Sequence, residues 1–468
     1  MSRVIDALDR ALGARLSVAP EIRKKYRRDY SMLAELREFQ DREGPLPQAV
    51  VEAQSVKDVS DCLRICRDEK TPVVTVGGAS GVCCGIQPGA EAVMLSTRGL
   101  SGLIRMEPND LTATFRAGTF GQAAEDRVRE AGLTIGHWPQ SIELSTVGGW
   151  VATRASGQYS TAYGNIEDMV LALEAVLPDG KVVRTRETPR ASAGPDLKQF
   201  FLGSEGILGV VTEVTFSLRP LPESSRGSAF HFPDFHSGVE LLRQIMRPGW
   251  RPPVVRLYDA AESARHFGEA TPEGRSMLVL LHEGPASAVQ AEMQAIEALC
   301  RSGGGEASDP AVVDHWLEGR NRVPSFRSFL ENGIIVDTIE VASTWNRVVP
   351  VYESVKKSLS EVPGLLLASA HSSHSYRSGT NLYITFAVRP DTPSELESSY
   401  LECWKRTMEA AAACGAGIAH HHGVGRVRRD YLASEIGDEG IALLRSVKHA
   451  LDPDGLLNPG NLLPVATD

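Results

Sequence analysis

Three histidines stand side by side at His420, His421 and His422, followed by Gly423-Val424-Gly425. Free imidazoles titrate near about pH 6.5, so a run of them beside a reacting group can move protons. A histidine tract also occurs as a metal ligand set or as a solvated loop. Neighbouring side chains on an extended chain point to opposite faces, which keeps three consecutive rings off one ion, and no metal is expected. Tyr383 lies in the strand-like Leu382-Tyr-Ile-Thr-Phe-Ala387, where an aromatic is more often core than reactive. Arg256 follows Pro253-Val254-Val255. An arginine in an apolar strand is costly unless an anion pairs with it, so a ligand head or a carboxylate partner is expected.

Glycines carry the other signal. Thr75-Val-Gly-Gly-Ala-Ser-Gly-Val-Cys-Cys-Gly85 follows an apolar strand and places Gly77, Gly78, Gly81 and Gly85 within nine positions. Backbone N–H groups of such a turn can converge into a nest suited to a pyrophosphate. Gly136-His-Trp-Pro-Gln-Ser-Ile-Glu-Leu-Ser-Thr-Val-Gly-Gly-Trp150 and the following stretch to Gly157 are rich in small residues that let a large flat ligand lie against backbone. Gly203-Ser-Glu-Gly-Ile-Leu-Gly209 comes last. Any one of these is an ordinary turn of a mixed sheet; all three in this order are not.

The elements that must position these residues follow from periodicity. Residues 1–45 read as helices with a charged tail. An α+β region at 46–222 follows, with AVVEAQ, TPVVTVGG, VMLST, LTATFRAG and LGVVTEVTFSLRP as strands and an Asp-Gly hairpin in LPDGKVV. Ser55 is the expected N-cap of a helix over SVKDVSDCLRICRDEK. Residues 223–415 alternate strands and helices in the manner of a ferredoxin-like cap. The segment 416–468 holds the histidine run and a last helix, EGIALLRSVKHALDP.

Composition bounds the function classes. The 468 residues are 42 % hydrophobic and 23 % charged, as in an ordinary globular chain of two to four domains. A net charge of −10 argues against nucleic-acid binding. Seven cysteines without paired spacing fit a reducing compartment. With no targeting signal or spanning segment, a cytoplasmic protein is expected.

Together the glycine motifs resemble the flavin-binding domain of the vanillyl-alcohol-oxidase (PCMH-type) FAD superfamily. The resemblance implies an α+β fold: a two-subdomain FAD-binding domain, a ferredoxin-like cap and a helical tail that returns to the flavin. It implies FAD, held non-covalently, with Cys83 and Cys84 as small apolar loop residues. The implied cofactor contacts are Val76, Gly77, Gly78, Ala79, Ser80, Gly81, Val82 and Gly85 in the first loop. They continue with Pro139, Ser141, Ser145, Thr146, Gly148, Gly149, Thr153, Ala155, Ser156 and Gly157, then Glu205, Gly206, Gly209 and Val210.

Within that superfamily the chain is similar to the alkylglycerone-phosphate synthase family. The shared pattern is Gly136-His-x-Pro-x-Ser141 with Ser145-Thr-Val-Gly-Gly-Trp150, Arg256-Leu257, Asp337-Thr338-Ile339-Glu340 with Trp345, Tyr383, and His420-His-His-Gly-Val-Gly425. An aspartate of that family is replaced by Gln140. The resemblance implies exchange of the acyl group of acyl-dihydroxyacetone phosphate for a fatty alcohol through a flavin N5 adduct. It assigns Arg256, Arg327 and Thr338 to the substrate, and His137, Tyr383, His420, His421 and His422 to proton handling. It also implies an anionic or acyl/alkyl small-molecule substrate, peripheral membrane contact and a homodimer. The rival is FAD-linked oxidation of a hydroxy acid or alcohol. Hydroxy-acid dehydrogenases of the superfamily carry a His-x-Gly-Asp-Gly-Asn-x-His metal motif. The corresponding stretch here, from His374 to Tyr383, lacks the aspartate and the second histidine.

Overall fold

A computed structural model describes residues 2–323 and 325–465. A four-stranded sheet opens the fold, in the order Leu16–Ser17, Ala49–Glu52, Val93–Ser96, Val73–Val76. Its last three strands are parallel, and Leu16–Ser17 pairs antiparallel at the edge. The helix Val56–Asp68 links two of these strands, opened as expected by Ser55, which forms a capping box with Asp58. Arg3–Leu12 packs on the same helix, so the charged N-terminal segment is part of the first core rather than an appendage.

The second sheet has five antiparallel strands, in the order Leu103–Glu107, Thr112–Arg116, Val210–Ser217, Val170–Val176, Val182–Arg184. The Asp-Gly hairpin joins its last two strands, with Gly180 at φ +82°. The helix Val147–Thr153 packs against this sheet, N-capped by the Thr146 hydroxyl.

The cap is one seven-stranded antiparallel sheet that begins at Ser224 and runs Glu306–Ala307, Ser224–Phe232, Ser276–Gly284, Val254–Tyr258, Leu365–Ser372, Gly379–Val388, Ile335–Thr344. Phe235–Met246, Ala286–Ser302, Trp345–Ser360 and Leu396–Ala413 bury one of its faces, which accounts for the largest apolar cluster. The opposite face carries the polar residues described below. After the cap the chain comes back: Val73 and Leu457 form a parallel bridge, and the Asn458 N–H donates to the Val73 carbonyl. The last segment thereby extends the edge of the first sheet beside the glycine loop. Among the described residues no helix is long and apolar enough to cross a membrane.

Candidate active site

One cavity of about 810 Å³ runs between the first two sheets, the cap and the returning tail. The glycine loop after Val73–Val76 forms one end. Arg98 donates from Nε to the Gly77 carbonyl (2.8 Å) and from Nη2 to the Gly78 carbonyl (2.9 Å). With those carbonyls held, the loop leaves its amides free: among the described residues no protein acceptor takes the N–H of residues 77–82. That is the donor nest a pyrophosphate needs. A Cβ on Gly78 would overlap the Leu144 carbonyl oxygen, so glycine is required for the first loop to meet the second. Thr146, Gly148 and Gly149 begin a helix rather than a loop, adding a helix N-terminus to the wall.

All the expected cofactor residues line this cavity except Gly157, which is backed against the Trp138 amide and the His137 backbone. The Glu205 carboxylate also lines it and accepts the N–H of Val424 (2.6 Å) and Gly425 (2.9 Å), clamping the tail onto the glycine-loop side. Its burial raises its pKa. Sequence spacing gave no warning of three further residues. Buried Asp29 of the N-terminal segment accepts the Gly85 N–H (2.7 Å). Asn458 bonds the Thr75 amide (2.7 Å) and the Glu205 carbonyl (2.8 Å). Arg98 is the third. Asp29 and Asn458 come from segments remote in sequence from the loop they hold, whereas Arg98 follows the neighbouring strand Val93–Ser96.

At the cap end, Arg256 donates from Nε to the Tyr258 hydroxyl (2.8 Å) and bonds His371 Nε2 through Nη2 (2.9 Å). His371 Nδ1 lies 2.6 Å from Glu262, which is fully buried. Burial works against the Glu262 charge, but His371, Thr385 and Arg265 outweigh it and hold the carboxyl well below the usual range. Burial pushes the His371 pKa down, against the opposing pull of Glu262. An ionised carboxylate only accepts, so His371 donates from Nδ1 and presents its Nε2 lone pair to Arg256. Arg256 thus has neutral partners and, among the described residues, no carboxylate in ion-pair range. Its positive charge faces the cavity unneutralised.

Tyr383 stacks on His371, with ring centroids 4.8 Å apart, and its hydroxyl accepts from Thr338 Oγ1 at 3.0 Å. Burial pushes this phenol up to about 12. His421 lies nearly parallel to Tyr383 at 5.9 Å and His422 edge-on at 5.6 Å. The histidine loop hangs from Glu340, whose carboxylate accepts the amides of His420 (3.1 Å), His421 (3.1 Å) and His422 (2.6 Å). Arg428 completes the clamp at 2.9 Å, and both side chains are fully buried. Burial would raise Glu340, but Arg428 and His422 prevail and hold it at about 2. Burial keeps His420 and His422 down at about 4, and His421 well below the ordinary value. All three rings are therefore neutral bases at neutral pH.

Three of the residues assigned to substrate or proton handling lie elsewhere than expected. His137 is absent from the cavity wall: fully buried, it packs its edge on Trp150 with centroids 4.5 Å apart, and neither ring nitrogen has a partner. Arg327 lies on the outer side of its helix, over the Phe39 ring and 3.8 Å from Glu35, while Phe326 and Phe329 face the cavity instead. His420 reaches the cavity only through its neighbour, with Nδ1 2.9 Å from His421 Nδ1. The expectation that adjacent rings face apart also fails, because this segment is bent rather than extended. Gln140 bonds the Arg322 carbonyl (2.6 Å) and so ties the second loop to the cap.

An apolar wall completes the cavity: Tyr30, Met32, Val323, Phe326, Phe329 and Val336.

Residues 47–186 match the FAD binding domain family and residues 221–462 the FAD linked oxidases, C-terminal domain family. The chain is 33 % identical to the uncharacterised FAD-linked oxidoreductase YgcU of Escherichia coli K12, over 99 % of this chain and 98 % of that one. It is 29 % identical to alkyldihydroxyacetonephosphate synthase of Caenorhabditis elegans, over 90 % of this chain and 76 % of that one. A solved alkyldihydroxyacetonephosphate synthase superposes with a TM-score of 0.81 at 23 % identity, covering 98 % of this chain and 86 % of that one. A solved 4-ethylphenol oxidase from Gulosibacter chungangensis does so with 0.78 at 16 %, covering 98 % and 96 %. These neighbours share the PCMH-type fold, and the free amides of the glycine loop suit its cofactor, FAD. Apart from Asp29, Tyr30, Met32 and residues 204–211, the cavity wall comes from segments that these family models match, and the chain belongs to the FAD-linked oxidase family, as a flavoenzyme.

Proposed function

We propose that this flavoenzyme acts on an amphiphilic small molecule with an anionic head, exchanging the acyl group of acyl-dihydroxyacetone phosphate for a fatty alcohol without net redox change. The observation that carries the reading is one cavity holding both an arginine free of carboxylate partners and an apolar wall. Arg256 takes the phosphate head, its guanidinium oriented by Tyr258 and by the Glu262–His371 pair. The wall from Met32 to Phe329 takes the alkyl chain. His421 and His422, neutral and beside Tyr383, accept the proton lost from the substrate carbon. Tyr383, its hydroxyl oriented by the Thr338 hydrogen bond, donates to the enolate-like charge that develops. Bound FAD supplies the electron-accepting ring, held through residues 77–82 at its pyrophosphate. A substrate of this kind resides at a lipid surface, so peripheral membrane contact belongs to the same proposal, as do a homodimer and a cytoplasmic location.

The test is to incubate the holoenzyme with palmitoyl-dihydroxyacetone phosphate and hexadecanol. Fatty acid and ether product should appear in equal amounts with no oxygen consumed; absence of both refutes the exchange. A second reading, FAD-linked oxidation of a hydroxy acid or alcohol, is supported by the 33 % relative named as an oxidoreductase and by a glycolate oxidase subunit of Bacillus subtilis at 25 %. In that case Arg256 would hold a carboxylate. Anaerobic bleaching of the flavin by a hydroxy acid, with no fatty acid release, decides for it.

A further inference from the structure

We infer that Tyr376, His420 and His421 form a proton relay from the reaction cavity to the protein surface. It rests on the preceding reading in one respect, that a proton leaves the substrate inside the cavity. His421 lines the cavity, and His420 does not. The His421 Nδ1 lies 2.9 Å from His420 Nδ1, and His420 Nε2 lies 2.6 Å from the Tyr376 hydroxyl. Tyr376 is partly exposed and precedes Arg377 and Ser378, both exposed on the turn between Leu365–Ser372 and Gly379–Val388. The chain of contacts therefore begins at the cavity wall and ends on a tyrosine that is itself partly exposed, next to an exposed turn.

The geometry allows only two self-consistent hydrogen assignments, because each neutral imidazole carries one N–H. In the first, His421 donates from Nδ1 to His420 Nδ1, His420 donates from Nε2 to the Tyr376 oxygen, and Tyr376 donates to Asn165 Oδ1 at 3.3 Å. His421 Nε2 then holds a free lone pair. When it accepts the substrate proton, the Nδ1 proton of His421 moves to His420 Nδ1. The Nε2 proton of His420 moves to the Tyr376 oxygen, and the phenol releases its own proton to water. One proton enters, one leaves, and both rings end in the opposite tautomer. Rotation or reversal of the same steps resets the relay.

The surroundings hold this register. Glu340 fixes the backbone of all three histidines. Ser156, a cavity residue, donates to the same Asn165 oxygen at 2.5 Å. His374 stands over the pair, its ring 4.7 Å from His420 and 4.9 Å from His421. Nitrogens of these three histidines lie within 4.8 Å of one another, a spacing that a cation could also use. The relay is favoured because the two Nδ1 atoms sit at hydrogen-bond distance and the far nitrogen of His420 is already taken by Tyr376. His421 touches the reacting atoms; Tyr376 and His420 act through it.

Two readouts test the relay on the FAD-loaded protein. In histidine-labelled long-range nitrogen spectra, Tyr376→Phe should change the tautomer balance of His421, which Tyr376 does not touch. With palmitoyl-dihydroxyacetone phosphate and hexadecanol at low buffer concentration, Tyr376→Phe should lower kcat roughly tenfold. KM and flavin content should stay unchanged, and added imidazole should restore the rate. His420→Asn, which cuts the relay in the middle, should behave alike, and Arg377→Ala should do nothing. If the wild type shows no turnover, the exchange reading fails while the spectra still decide the relay. Unmoved His421 signals overturn it. So does a kcat unchanged by both relay variants, or a stoichiometric transition metal whose chelation shifts all three histidines.

Discussion

Charge on single residues determines what this site can hold. Arg256 faces the cavity with neutral partners, so Arg256→Leu should raise KM by about ten- to a hundredfold, the range of a lost charge-assisted hydrogen bond, and change kcat less. Tyr383→Phe and His421→Asn should keep the flavin spectrum and lower turnover by roughly 10²-fold or more. His137 gives the opposite forecast. Burial holds its imidazole at about 3, below an unfolded value of about 6.5. The unfolded chain then binds the proton more readily, so this stability is complete above about pH 6.5 and is lost as pH falls toward 3. His137→Phe should keep flavin and turnover. Its melting temperature should fall less than that of the wild type between about pH 7 and pH 5, a difference near 2 kcal/mol in thermal melts. Loss of turnover in that variant would return His137 to the reaction.

Among elements, the loops carry most of the function and the buried clamps carry the loops. Glu340→Gln leaves Arg428 buried without a counter-charge and should cost about 3–5 kcal/mol in a urea titration. The half-exposed surface pair Arg406–Glu402 should cost under about 1 kcal/mol when cut. Gly78→Ala should yield colourless protein, because the first glycine loop could no longer seat against Leu144. Legibility in the sequence follows the same division. Local signals read well: the Ser55 cap, the Gly180 hairpin and the glycine loop are each determined by their own neighbours. The clamps were hidden, because Glu340, Asn458 and Asp29 gain meaning only when distant segments meet. Arg327 misled because helical phase, which a motif does not encode, turns it outward and Phe329 inward. His137 misled because its motif position says nothing of whether the ring faces ligand or Trp150.

At the scale of the whole molecule, the N-terminal segment, the first two sheets, the cap and the tail all line one cavity, so FAD bound there would touch every one of them. Its binding is therefore coupled to global stability. Free FAD at a hundredfold excess over Kd should stabilise the fold by about 2.7 kcal/mol, visible as a higher Tm of holo- over apoprotein. The acidic balance of the chain matters less than the unneutralised arginine enclosed within it. The most direct test of the central claim follows the flavin spectrum in anaerobic stopped flow, with palmitoyl-dihydroxyacetone phosphate in one syringe and a panel of hydroxy acids in another. The account predicts that the acyl substrate perturbs the spectrum and releases fatty acid, and that hexadecanol alone restores it. Bleaching by a hydroxy acid that only oxygen or a dye reverses, with the acyl substrate inert, would contradict it.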